Sequence, residues 1–408
     1  MDFQHSPRAR DLAERLRAFV DEHVEPVEAQ VDAALDREVA PGVAFPAQLM
    51  ELRARAQAEG LWNLFMPDEA YGPGFGHAEY GLLCEVMGRV SWAPMVFNCQ
   101  PPDSGNMEIL AEHATPDQVD RWLLPMLAGD IRSCFSMTEP GTSGSDPTGL
   151  ACRAVLDGDE WVIDGRKWFT TNALGASVAI VMAVTDPDER PHRRATMLLV
   201  PTDTPGFEMV RPISHMGHSA GPGHWEIAYE DCRVPRDSVL GARQEGFLVA
   251  QNRLGPGRIH HCFRLLGVAE RGYEMMCRYA NTRQTFGEPL GAKQFVQDFI
   301  ARSRIEIDAA RLLATRAAWE MDTIGKRDAR QSISIAKVYV MQMAMDVLDR
   351  AIQVHGALGV SDDVPLAAMW RGNRYLRIGD GADEVHKQTI ARRELHRFAD
   401  AVPTGVSA

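Results

Sequence analysis

"EWVIDGRKWFTTNALGASVAIVMAV", residues 160–184, is the stretch on which the fold turns. Its two ends, "EWVIDG" and "VAIVMAV", are rich in β-branched and aromatic side chains, and Asp, Gly and Asn punctuate the whole. Such runs predict strands, because branched side chains fit a pleated, half-buried surface. "TMLLVP" (196–201) and "WEIAYE" (225–230) repeat the texture. From about residue 133 to 240 the pattern predicts an antiparallel barrel or sandwich with no long helix.

Both flanks read differently. Ser6-Pro7 predicts a helix N-cap followed by proline at the first helical position, and Leu12, Leu16, Phe19 and Val20 follow on one helical face. Thr115-Pro116 repeats that start signal. Beyond residue 247, long stretches carry apolar residues three and four apart, and Gly325 and Gly356 stand where helices should stop. The predicted plan is α+β and mainly α. It comprises a helical N-terminal domain over 1–132, a small β-barrel domain over 133–242 and a four-helix bundle over 243–408.

Composition bounds what such a chain can do. Its 408 residues suffice for two or three domains and a large buried core. The formal charge of −13 argues against nucleic acid or an anionic membrane as the main partner, since phosphate backbones demand clustered positive charge. Seven cysteines without a CxxC pair predict neither a disulfide framework nor structural zinc, and no metal site is expected. The longest apolar run, near residues 176–185, is roughly half the length of a membrane helix. The N-terminus lacks the order of a secretory signal, so a soluble, cytoplasmic protein is expected.

Several stretches hold the residue types that chemistry needs. "CFSMTEPGTSGSDPTG" (134–149) leaves one strand packed with Gly, Ser and Thr, whose backbone N–H groups and hydroxyls can approach a flat polar ligand closely. "RKWFTTNA" (166–173) ends another strand with rings that stack and hydroxyls that donate, as one face of an isoalloxazine requires. "NTRQTFGEPLGAKQ" (281–294) places Arg283, Phe286 and Gln294 at a helix break marked by Gly287 and Pro289. "RIGDGADEVHKQT" (377–389) sets Asp380 against Gly381 before the last helix, where it reads either as a reacting carboxylate or as an N-cap.

Together these segments resemble the acyl-CoA dehydrogenase family, FAD-dependent oxidoreductases that convert acyl-CoA thioesters to trans-2-enoyl-CoA. "MTEPGTSGSD", "KWFTTN", "EDCRVPRDSVLG", "RQTFGEPLGAKQ" and "QVHGALG" match its hallmarks in order, over about residues 45–397. "AEGLWNLF", "RLGPGRIHHC" and "GDGADEVH" are similar to the dehydrogenase domains of family members 10 and 11 and their bacterial relatives. The resemblance implies FAD as cofactor, an acyl-CoA as substrate, an electron-transferring flavoprotein as acceptor, and a homodimer or homotetramer.

It also implies roles by position. Phe135, Met137, Thr138, Gly144 and Ser145 would line the flavin and substrate cleft, with Ser145 touching both ligands. Trp168, Phe169, Thr170 and Thr171 would flank the flavin, Thr171 near its N5. Arg283, Thr285, Phe286, Gln294, Gln353 and Gly356 would reach the FAD of a neighbouring subunit, and Ala382 and Glu384 would also contact FAD. Arg258 and Gly381 would face the substrate.

In the family the base is the Glu of a Tyr-Glu-Gly-Thr run, helped by hydrogen bonds that stabilise the developing enolate. The aligned residues here are Gly379, Asp380, Gly381 and Ala382, so the carboxylate is kept but one methylene shorter. An alternative family position for the base falls on Gly257, which cannot serve. Asp380 is therefore the expected base, with Asp383 and Glu384 the better caps for the last helix. His260 and His261 are adjacent, about 100° apart on a helix, and are assigned no metal role.

This sequence departs from the family in two places. "EPGTSGSD" is one residue longer than the usual "EPGAGSD", and Gly379 replaces an aromatic residue, opening room for bulkier or 4-substituted acyl groups. Asn98, Gln100 and Asp103 fall where the acyl tail passes in the family, as a polar turn or as partners for an oxygenated chain. An acyl-CoA oxidase, a variant acting on 4-substituted acyl-CoA, and a non-catalytic FAD- or acyl-CoA-binding protein are the competing readings.

Overall fold

The computed structural model describes residues 4–39, 45–217 and 223–399; the ends of the chain fall outside them. The chain divides into two compact units, His5–Gly257 and the stretch from Arg258 onward.

The first unit opens as the sequence predicts. Ser6 Oγ accepts from Ala9 N at 3.2 Å, Pro7 starts the helix Pro7–Phe19, and Leu12, Leu16 and Phe19 are buried along it. At the Thr115-Pro116 start a reciprocal capping box forms between Thr115 and Gln118. The helix Asp103–His113 sits between these and carries a buried polar group. Asp103 accepts from Arg132 Nε (3.1 Å), Gln100 Nε2 (2.7 Å), Ser133 N (2.7 Å) and Ser133 Oγ (2.6 Å). Asn98 donates to Asn63 and to the Met126 carbonyl. These side chains are used on protein partners, as the polar-turn reading requires, and they tie the helix to the first strand.

The strands are β1 (Ser133–Ser136), β2 (Arg153–Asp157), β3 (Glu160–Thr171), β4 (Val178–Val184), β5 (Ala195–Pro201), β6 (Phe207–Ile213) and β7 (His224–Pro235). They form one curled sheet in the order β1-β4-β2-β3-β7-β6, with β5 added on β4. The sheet is mixed, not wholly antiparallel as expected, because β1 runs parallel to β4. Local punctuation reveals hairpins, whereas β1 and β4 pair across the intervening β2–β3 hairpin and so leave no short-range signal. Trp161, Ile163, Val181, Leu198, Val200, Ile227, Tyr229 and Val234 fill the core of the sheet. Two polar tips are satisfied there: Tyr229 Oη donates to Ser136 Oγ (3.0 Å), and Trp161 Nε1 donates to the Arg236 carbonyl (3.2 Å).

The second unit is helical. The first long helix, Gly246–Thr282, begins before the boundary and supplies the unit's first element. A two-residue hairpin turn follows, with Phe286 (φ 49°) and Gly287 (φ 82°) both left-handed between strands β8 (Gln284–Thr285) and β9 (Glu288–Pro289). A second helix runs Gln294–Ile324, a third Arg330–His355 and the last Asp383–Arg397, with the shorter Leu366–Arg374 between. Gly325 and Gly356 end the second and third helices at positive φ, as the sequence predicts.

Small residues let the helices of this unit approach closely. Ala310, Ala314 and Ala317 are buried on the second helix, and Ala336, Ala344 and Ala351 on the third. A methyl added at Gly272 would lie 2.7 Å from Leu348 Cδ2. Arg304 and Arg311 both pair with Glu270, and Arg350 pairs with Glu306 at 2.7 Å. No described helix is long and apolar enough to cross a membrane.

Candidate active site

In the sheet unit, β1 and β3 end side by side and deliver most of the expected flavin contacts. Lys167 Nζ donates to the Met137 carbonyl (2.9 Å) and to Glu139 Oε1 (2.8 Å), an ion pair buried at both ends. Glu139 in turn accepts from Ala151 N (2.7 Å) and Cys152 N (3.0 Å). The loop from 140 to 150 is thereby pinched shut at its neck, with Gly144 and Ser145 exposed on it. Trp168 N donates to the Thr138 carbonyl (2.9 Å), joining the two strand ends.

At the end of β3 the pairing with β7 slips between Lys167 and Thr170, and Phe169 takes a left-handed φ of 50°. That slip pushes the Phe169 ring outward, 41% exposed, edge-on to Trp168 at 5.1 Å. Thr171 Oγ1 lies 2.9 Å from His224 Nδ1. Thr170 turns the other way: it is buried, with its hydroxyl 3.3 Å from Ser136 Oγ, so among the expected contacts it belongs to the sheet interior. Phe135 lies beneath the Arg253 guanidinium, 4.1 Å from ring centroid to Cζ, while Arg253 Nε donates to Asn106 Oδ1 at 2.8 Å. Trp168 Nε1 is buried without an acceptor among the described residues. A flat conjugated ligand offering hydrogen-bond acceptors fits this combination of an exposed ring, a hydroxyl and an unsatisfied N–H.

In the helical unit Asp380 stands on a strained turn. It has φ 55° and Gly381 φ 103°, both in the left-handed region. Three cations or rings hold the turn by its carbonyls. Arg258 Nε donates to the Asp380 carbonyl (2.7 Å), His386 Nε2 approaches the same oxygen (3.4 Å), and Lys337 Nζ donates to the Gly381 carbonyl (2.5 Å). A methyl at Gly381 would sit 2.8 Å from His386 Nε2.

Asp380 does not stand at the N-cap position of the last helix. Its N-cap is Ala382, with no side-chain cap, and Asp383 is consumed by Arg377 Nε (2.8 Å) and Lys337 Nζ (3.6 Å). Asp380 Oδ2 instead faces His261 Nε2 at 3.5 Å. Burial, then the charges of Arg258 and Lys337, push the His386 imidazole down to about 4, and burial lowers the Lys337 ammonium and the Arg258 guanidinium from their usual values.

Other expected contacts stand open. Arg283, Phe286, Gln294, Gln353, Gly356 and Glu384 are exposed, Phe286 by 96%, and Thr285 is half-buried beside it. Sequence reasoning passed over His261, Arg264, Lys337 and the Lys167–Glu139 pair. A signal for His261 was there: Arg258, His261 and Arg264 recur every three residues, one face of a helix. Among the described residues no three metal-ligating side chains cluster.

A helical N-terminal part, a curled sheet and a helical C-terminal region follow one another along the chain. The chain belongs to the acyl-CoA dehydrogenase family. Its N-terminal domain model matches residues 6–130, its middle domain model 134–232 and its C-terminal domain model 244–395. The probable acyl-CoA dehydrogenase FadE2 of Mycobacterium tuberculosis is 46% identical, covering 98% of this chain and 100% of its own. Mouse acyl-CoA dehydrogenase family member 10 is 44% identical over 96% of this chain, which spans 37% of that longer protein. A solved candidate acyl-CoA dehydrogenase from Mycobacterium abscessus superposes with a TM-score of 0.92 at 45% identity, covering 97% of this chain and 100% of that one. A glutaryl-CoA dehydrogenase from Mycobacterium smegmatis, solved in complex with FADH2, gives 0.81 at 25% identity, covering 99% of this chain and 96% of that one.

Proposed function

We propose that this chain is an FAD-dependent acyl-CoA dehydrogenase in which Asp380 removes the α-proton of an acyl-CoA. The observation that carries the reading is the state of Asp380: a carboxylate on a left-handed turn, its carbonyl bound by Arg258 and its Oδ2 facing His261, with Ala382 at the N-cap of the last helix. A strained residue on a turn held at two successive carbonyls is what a positioned reacting group looks like. The first turn of the last helix lies next in the chain, and its dipole favours negative charge as the α-carbon loses its proton.

Bound FAD supplies the hydride acceptor. Phe169 would stack against it, Thr171 would donate toward it, and Trp168 Nε1 would gain an acceptor. Phe135, Met137, Thr138, Gly144 and Ser145 would complete that wall through the pinched loop. Electrons would pass on to an electron-transferring flavoprotein.

Exposed Arg283, Phe286, Gln294, Gln353 and Gly356, with half-buried Thr285, would meet the FAD of a second subunit. An apolar row on the second helix, Ile305, Leu312 and Trp319, is exposed by 68%, 52% and 38% at seven-residue spacing. It supports a homodimer or homotetramer, since such a row wants a partner. Anaerobic titration of the purified protein with acyl-CoAs of graded length and 4-substitution tests the reading: the matching thioester bleaches the flavin band. A flavin that shifts but never bleaches would make this a binding protein.

A further inference from the structure

We propose that His261 is a positioning residue for the base, a neutral imidazole that orients the Asp380 carboxylate. The inference rests on Asp380 being the base and adds what aims it. His261 Nε2 is 3.5 Å from Asp380 Oδ2, with the side chains 13% and 25% exposed. On the other edge of the ring, Arg264 Nη2 is 3.3 Å from His261 Nδ1. A guanidinium only donates, so Nδ1 accepts and the ring proton stands on Nε2, facing Asp380. Arg264, His261 and Asp380 thus form a line of cation, neutral imidazole and carboxylate.

An Asp needs such help here. Its terminal torsion is broad, and holding its backbone carbonyl does not choose which oxygen points where. A donor at Oδ2 chooses, fixing the plane of the carboxylate.

The other charged or titratable groups around the turn are used elsewhere. From the first long helix, Arg258 binds the Asp380 carbonyl, with Arg330 of the third helix acting on it electrostatically. From the third helix, Lys337 binds the Gly381 carbonyl and Asp383. Arg377 pairs with Asp383, and His386 of the last helix faces the Asp380 carbonyl and Ser334. The Tyr375 hydroxyl is pushed up by burial and then by Asp380, so it stays neutral. Those contacts go to backbone oxygens or to Asp383, whereas the His261 contact goes to the carboxylate itself.

The test compares His261→Leu, His261→Gln and Asp380→Asn with wild type in pH profiles of kcat/KM, using the acyl-CoA that bleaches the wild-type flavin. A second readout is the infrared band of a protonated carboxyl, identified as the one that Asp380→Asn removes. Losing a donor to the ionised form should raise both titrations by about one pH unit in His261→Leu, while rates above the limb persist. His261→Gln, whose amide reaches the same place, should restore the wild-type limb. An unshifted limb and band in His261→Leu, with Asp380→Asn inactive, would overturn the role of His261 alone. A shift equal in the Gln and Leu variants would overturn it too. Near wild-type turnover by Asp380→Asn would overturn the base assignment beneath it.

Discussion

Lys167 Nζ sits 2.8 Å from Glu139 Oε1, with the two side chains 0% and 3% exposed, and the pair closes the neck of the loop that bears Gly144 and Ser145. Glu139 also collects the Ala151 and Cys152 N–H groups, so a single carboxylate ties the start of the loop to its end. Removing one partner strands a buried charge. Lys167→Met should cost about 3–5 kcal/mol in urea unfolding. Lys167→Met with Glu139→Gln should recover much of it, because the uncompensated charge is gone. Equal losses in the single and double variants would show that packing, not charge, holds the loop.

Gly381 cannot carry a side chain. A methyl would meet His386 Nε2 at 2.8 Å on a residue whose φ is already 103°. Gly381→Ala should cost roughly 1–3 kcal/mol of stability. It should also cut kcat at least tenfold while flavin content holds, since about 1 Å of misplacement at a reacting group is enough for such a loss. Unchanged kcat would place the base elsewhere.

His386 makes the helical unit acid-sensitive. Its folded pKa is about 4 against 6.5 unfolded, so between those values the unfolded chain binds the proton and the folded one does not. Stability is therefore full above pH 6.5 and falls as the pH drops toward 4, by up to about 3 kcal/mol. Urea midpoints for wild type and His386→Gln should converge over that window. Parallel curves would contradict the linkage.

The fold was legible in its outline and the site in its parts. Ser6, Thr115, Gly325 and Gly356 announced helix ends because caps and stops are local chemistry. The parallel β1–β4 pairing was not legible, since long-range register leaves no local signature. Asp380 could be singled out by its motif, but whether it capped a helix depended on Ala382 and on Asp383 being taken by Arg377 and Lys337. Thr170 reads like Thr171 in sequence; strand alternation turns one inward and the other toward His224, and the slip before Thr170, invisible in sequence, decides which.

The exposed hairpin should matter to cofactor and assembly together. Phe286 is 96% exposed at a two-residue turn, with Arg283 exposed at its base. Arg283→Ala should weaken FAD retention, read as flavin-to-protein absorbance after dilution, without lowering the unfolding temperature of the apoprotein. An unchanged flavin content would remove Arg283 from the cofactor site.

The central claim is that Asp380 takes the α-proton, and anaerobic flavin reduction of Asp380→Asn by an acyl-CoA that bleaches the wild type tests it most directly. The variant should stay yellow and fold normally, yet bleach at least about a hundredfold more slowly, as expected for loss of a general base (of order 10²–10⁴). Bleaching at close to the wild-type rate would contradict the account and return Asp380 to a structural role.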